Sequence, residues 1–438
     1  MLKKVNETPR TDVKVHLRDA GFPAPFASGL EYAAPARGTW NIVHVGMLIP
    51  EAHEIFVCAA GCLRGVVLTA AEMGASHRFS TVEVKEENLL NGDMEDLIIE
   101  GVEDILHKLP KMPPAVLVYT SCVHHFAGCD LDMVYRILRE RFPDVDFTDC
   151  YMNPIMRKSG LTPDQLMRKQ LYSLLKPCAK NSKAAAILGN DYVTNENSEL
   201  VKLIRDAGYT LYEIQNCRTY EEYQKIAEAS VYITTYPSAK AGGDALAERL
   251  GGTHIHLPYT LNFDEIDANL AKLAEVLGVE APDMTEKRRE CTDALRRARE
   301  VIEEDIITID YTVCPRPMGL ARLLADSGFR VTRVYADSFT GFDKPDFDYL
   351  KETSADLYIH PTVHASMRFH VSEVPCLAIG QKAAYFCGTE HFVNMVEGGG
   401  HWGYEAILAL CDDMTDAHNH TKPMRELIAV KGMGCSCV

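Results

Sequence analysis

The chain has 438 residues, 47% of them apolar and 24% charged, which is a globular composition too long for one ordinary core. Its formal net charge of −17 argues against nucleic acid as the main partner, because a phosphate backbone needs basic surface. No apolar run approaches the roughly 18–20 residues that span a bilayer, and the opening MLKKVNETPRTDVKVHL has no secretory apolar stretch, so a soluble cytoplasmic enzyme off the membrane is expected.

In chain order, residues 1–40 read as an N-terminal arm. A first α/β domain (41–182) opens with NIVHVG (41–46) and STVEVKEEN (80–88) as strands, followed by the strand AVLVYTSC (115–122) and the helix DLDMVYRILRERF (130–142). A second domain (183–262) contains ELVKLIRDAGYTLYEI (199–214), an amphipathic helix, a glycine stop and a strand. The third (306–438) repeats that unit as GLARLLADSGFRVTRVY (319–335), with Gly208 and Gly328 placed where a helix C-cap needs positive φ. Each unit continues into two apolar strands, SVYITTYP (230–237) with THIHLPY (253–259), and ADLYIHPTV (355–363) with VPCLAIG (374–380). Helices at 263–305 link the two, their charges forming a solvated face. A C-terminal helix and a frayed tail with Cys435 and Cys437 close the chain. Strands alternating with helices at this spacing predict three Rossmann-like, doubly wound parallel-sheet domains.

In open parallel sheets ligands collect at the carboxyl ends of the strands. Those ends carry Ser121-Cys122, Thr235-Tyr236 and His360-Pro361. Fourteen cysteines in a reducing compartment point away from a disulfide framework and toward packing or metal. FVCAAGCLRGVV sets Cys58 and Cys62 in a C-x3-C spacing within a Gly/Ala-rich turn, and YTSCVHHFAGCDLD sets Cys122 at a strand end with Cys129 before the next helix. Thiolates select iron–sulfur clusters, zinc or copper(I). Cys58 and Cys62 fit small core residues on one helix face equally well. The scattered cysteines, Cys291, Cys376, Cys387 and Cys411 among them, read as packing. His124 and His125 flank Cys122 in a position to tune a cluster or move protons. His360 and His364 are the histidines best placed at a strand end. No G-x4-G-K-[ST] loop, H-E-x-x-H or G-x-S-x-G motif is present, so the chain is not expected to hydrolyse ATP itself.

Over about residues 30–415 the pattern resembles the nitrogenase component 1 family. The matching pieces are Gly61-Cys62, VKEENLLNGD (84–93), Ser121-Cys122 with Gly128-Cys129-Asp130, AAILGNDYV (185–193) and EGGGHWGYEAILALCDDM (397–414). By that resemblance Cys62 and Cys122 fall on two of the family's interfacial cluster-ligand positions. Cys58, Glu31 or Cys129 would complete the set around an iron–sulfur cluster, [4Fe-4S] or P-cluster-like. Tyr236 and Gly380 fall where nitrogenase holds its large cofactor by a cysteine and a histidine, which implies a nitrogenase-like reductase that does not reduce dinitrogen. Tyr236, His360 and His364 are then the expected substrate-side residues. The resemblance also implies a homodimer or a pairing with a related subunit, and electrons from an ATP-dependent iron protein. A non-catalytic scaffold for metallocluster assembly is the alternative role.

Overall fold

The computed structural model describes residues 13–27, 41–152, 160–369 and 375–428. Glu31, His370, Cys435 and Cys437 lie outside the described residues. In chain order the strands are β1 (Val15–His16), β2 (His53–Cys58), β3 (Phe79–Glu83), β4 (Ala115–Ser121), β5 (Asp146–Met152), β6 (Asn181–Leu188), β7 (Thr210–Glu213), β8 (Ala229–Thr234), β9 (Thr253–His256), β10 (Ile306–Asp310), β11 (Arg330–Tyr335), β12 (Tyr358–His360), β13 (Leu377–Ile379) and β14 (Phe392–Val393).

Two compact units hold them. The first, residues 40–193 with 204–258, contains two parallel sheets of order β3-β2-β4-β5 and β7-β6-β8-β9. The second, residues 1–39, 194–203 and 259–438, contains one sheet of order β1-β12-β11-β10-β13-β14, parallel except at β1. The fold is thus mixed α/β with three parallel sheets. Each central pair is a switch point, because the chain leaves in opposite directions from β2 and β4, from β6 and β8, and from β10 and β13.

The sheets form because their strands are apolar on both faces. All of β2 and all of β4 are buried. Phe56 stacks on Tyr119 with centroids 4.0 Å apart in one layer. Ile55, Val57 and Val118 fill the other. The glycine stops work as expected: Gly208 and Gly328 take φ of +76° and +82°.

One expected strand is a helix. NIVHVG forms Ile42–Gly46, capped by Asn41, whose Oδ1 accepts the N–H of Val43 and of His44. Its Val-rich text reads as a strand, but a side-chain cap and tertiary packing override β propensity over five residues. The strand that belongs there is β2, from HEIFVC. The linking helices Phe263–Leu277 and Thr285–Ile302 bury one face, with Cys291 inside, and ion-pair along the other, as with Arg288 to Asp264 at 2.7 Å. Among the described residues no helix is long and apolar enough to cross a membrane.

Candidate metal centre

β2 and β4 lie side by side, Val57 opposite Thr120, so they end together. Cys58 is the last residue of β2. The chain turns at Ala59 into the helix Ala60–Glu72, and the Cys62 N–H reaches back to the Ala59 carbonyl at 2.9 Å. β4 ends at Ser121, and Cys122 opens the helix Cys122–Ala127. Two adjacent strands at a switch point thereby bring Cys58, Cys62 and Cys122 to one edge. Cys58 is buried, Cys122 half-buried and Cys62 exposed. Around Cys62 the helix surface is open, since a Cβ on Gly61 or Gly65 would meet nothing within 4 Å. Val67, Leu90 and Phe126, on the helices that follow β2, β3 and β4, are exposed at 44%, 80% and 70%.

The electrostatics of this edge hold Cys58 as a thiol. Burial first, then Cys62 and Cys122 as neighbouring thiolates, push the Cys58 thiol up to about 12. A metal group offsets that repulsion by removing thiol protons and supplying positive charge. Among the described residues no three His, Cys, Asp or Glu stand close enough to grip a single ion.

Cys129 stands elsewhere. It packs against the Ile55–Val57–Val118 layer, whereas Cys58 belongs to the Phe56–Tyr119 layer on the other face of the sheet. Burial, then the charge of Glu95, raises its thiol pKa. His124, two residues after Cys122, is 1% exposed. Its Nδ1 accepts the Ser121 N–H at 3.1 Å, so the neutral ring carries its proton on Nε2, which is buried without a partner. Burial depresses its pKa and keeps it neutral.

The expected substrate-side residues divide between the units. Tyr236, in the first, follows β8 and is buried, with the Arg168 guanidinium 5.8 Å from its ring centroid. Arg168 is itself held by Asp191 at 2.8 Å, and Thr235 donates to Asn190 at 2.8 Å. Those residues make Tyr236 part of a packed polar network. In the second unit His360 ends β12 with its ring 4.9 Å from that of Tyr335, and His364 Nδ1 accepts the Ser366 N–H at 3.1 Å. Gly380 follows β13 with φ +106°, and a Cβ there would collide with the Asp310 carboxylate. Sequence reasoning missed Lys382, a lysine of 7% exposure two residues on, 5.9 Å from the Tyr311 ring centroid. A lone lysine gives no spacing signal; only burial singles it out.

Solved nitrogenase structures share this fold. One is of nitrogenase Cp1 at pH 6.5, 14% identical, with a TM-score of 0.65 over 95% of this chain and 96% of that one. Another is of nitrogenase Cp1 at pH 5, 12% identical, with a TM-score of 0.59 over 90% of each. No curated protein gives a sequence match. The model of the nitrogenase component 1 type oxidoreductases matches residues 43–419, from before the cysteine edge to beyond the glycine at β13. This chain therefore belongs to the nitrogenase component 1 type oxidoreductase family.

Proposed function

We propose that this chain is the cluster-bearing subunit of a nitrogenase-like reductase, with Cys58, Cys62 and Cys122 as its contribution to an iron–sulfur cluster. The observation that carries the reading is the meeting of these thiols at the joint carboxyl edge of β2 and β4, graded from buried to exposed. When bound, the group supplies one-electron transfer at low potential. Cys58 gives up a proton that burial holds tightly, so loading releases protons and weakens at low pH. Cys62 presents its sulfur at the surface, where a second subunit can complete the ligand set. His124, buried in the same helix turn with its proton on Nε2, has a donor left over that can tune the site.

The electron source is an ATP-dependent iron protein, since this chain carries no phosphate-binding loop. The acceptor is a substrate other than dinitrogen. Tyr236 and Gly380 stand where the family resemblance puts cofactor ligands, and neither offers a thiolate or an imidazole. The test is iron and sulfide content in anaerobically purified variants. Cys62→Ala and Cys122→Ala are each expected to lose most bound iron, with Cys291→Ala unchanged. Parental iron in both of the first two would end the proposal. Turnover with an added iron protein then distinguishes a reductase from a scaffold.

A further inference from the structure

Away from the cysteine edge, two thiols meet at one side chain. Cys376, just ahead of β13, and Cys387, the last residue of the helix Gln381–Cys387, share one neighbour. The Thr308 hydroxyl lies 3.8 Å from each sulfur. One side chain thus holds both sulfurs about itself. The Tyr335 hydroxyl stands 3.5 Å and Arg333 Nη1 4.0 Å from Cys387 Sγ. Packing alone asks for none of this: a buried cysteine is content as a small apolar residue. A paired thiol furnished with a cation, two hydroxyls and a second sulfur is arranged for chemistry.

We propose that Cys376 and Cys387 form a reversible oxidation site, a dithiol that closes to a disulfide when the protein meets peroxide. Cys387 is the attacking sulfur. Cys376 first, then Tyr335 and Arg333, pull its pKa below the usual thiol range against the effect of burial. The same interaction raises that of Cys376, which stays a thiol. Cys387 thiolate attacks one peroxide oxygen; the S–O bond forms, the O–O bond breaks, and the departing hydroxide takes up the proton that Cys387 had lost. Cys376 then attacks the sulfenic sulfur; the S–S bond forms, the S–O bond breaks, and a second water leaves. Two electrons pass from the sulfurs to peroxide, and a dithiol reductant returns them with two protons, becoming a disulfide itself. Cys387 is fully buried and Cys376 is 7% exposed, which excludes a bulky disulfide as the oxidant and requires a water-sized one. The bond would tie the start of β13 to the end of the following helix, fixing the Gly380–Lys382 turn between them.

The test adds stoichiometric hydrogen peroxide to the anaerobic full-length protein, blocks free thiols with N-ethylmaleimide in denaturant, and maps tryptic peptides. Trypsin cuts after Lys382, so the two cysteines fall on separate peptides. The expected product is a linked pair that dithiothreitol separates, with Cys291 still labelled. Cys376→Ser should leave Cys387 as a sulfenic acid trapped by dimedone, and Arg333→Met should slow closure by roughly tenfold. Maleimide on both cysteines after treatment, or oxidation no faster than at buried Cys291, would overturn the proposal. The parent protein alone decides this, even where a variant fails to fold.

Discussion

His53 opens β2 as a buried imidazole whose Nε2 meets the Ser80 hydroxyl at 2.8 Å. Burial, helped by the nearby charges of Arg78 and His77, lowers its pKa to about 4. The unfolded chain titrates this group near 6.5, so between pH 6.5 and 4 the unfolded state binds more protons. Stability from His53 is thus complete above pH 6.5 and is lost as pH falls toward 4, by roughly 2–4 kcal/mol in all. Asp343 works in the opposite sense: burial raises it to about 6, so its contribution is present below pH 4 and lost as pH rises through 6. The difference between parent and His53→Asn isolates the first effect. Urea midpoints measured from pH 7 to 4.5 should fall more steeply in the parent than in the variant. Parallel slopes would mean that His53 is not buried neutral. The cysteines were more legible than this histidine. Cys62 and Cys122 stand out in the sequence because each sits beside glycine or serine at the end of an apolar run. Cys129 looks the same there, and only the alternation of side chains across β2 and β4 separates it from the others.

At the scale of elements, the three switch points explain what the text of the sequence conveyed and what it hid. Strand ends at Ser121, Thr234 and His360 were readable because long apolar runs stop there against polar residues. β2 was not, since HEIFVC begins with two ionisable residues that are buried all the same, and the Val-rich NIVHVG upstream imitates a strand. Nor does a sequence show that Cys58 and Cys122 flank one switch point while Asp310 and Gly380 flank another. At the latter, backbone shape forbids a side chain. Gly380 has φ +106° and the Asp310 carboxylate behind it, fixed by N–H donors from Thr312 and Ala383, each at 2.7 Å. Gly380→Ala is therefore expected to destabilise the protein by roughly 2–4 kcal/mol, and Gly380→His by no less. Gly341→Ala, where a Cβ meets nothing within 4 Å, should stay within about 0.5 kcal/mol of the parent. Urea unfolding of the three variants measures this. An undisturbed Gly380→Ala would reopen the position to a ligand, and with it the reading that this chain lacks nitrogenase's cofactor anchor.

For the whole molecule the open question is what covers the cysteine edge. A chain carrying −17 is kept apart from its copies by charge, yet Leu90 and Phe126 stand 80% and 70% exposed on helices beside that edge, with Cys62 between open glycine positions. Apolar surface left in the open beside the proposed cluster site marks a surface for another subunit. Two-fold pairing would bring equivalent edges together and enclose a group bound at Cys62. We therefore expect a dimer of this chain, or its pairing with a related subunit, held by apolar burial against charge repulsion. Raising the salt concentration should then strengthen association, because screening removes the repulsion and leaves the apolar term. Phe126→Asp combined with Leu90→Asp should shift the protein to monomer in analytical ultracentrifugation and lower its iron content, while the thermal midpoint of the folded chain stays close to that of the parent. With the iron protein, dithionite and ATP added, the parent's cluster absorbance should bleach faster than it does without ATP. The monomeric variant should lose that acceleration. A parent protein that sediments as a monomer at every salt concentration, with and without related subunits, and still holds its full iron would show that the edge is complete in one chain, and the exposed leucine and phenylalanine would then need another partner.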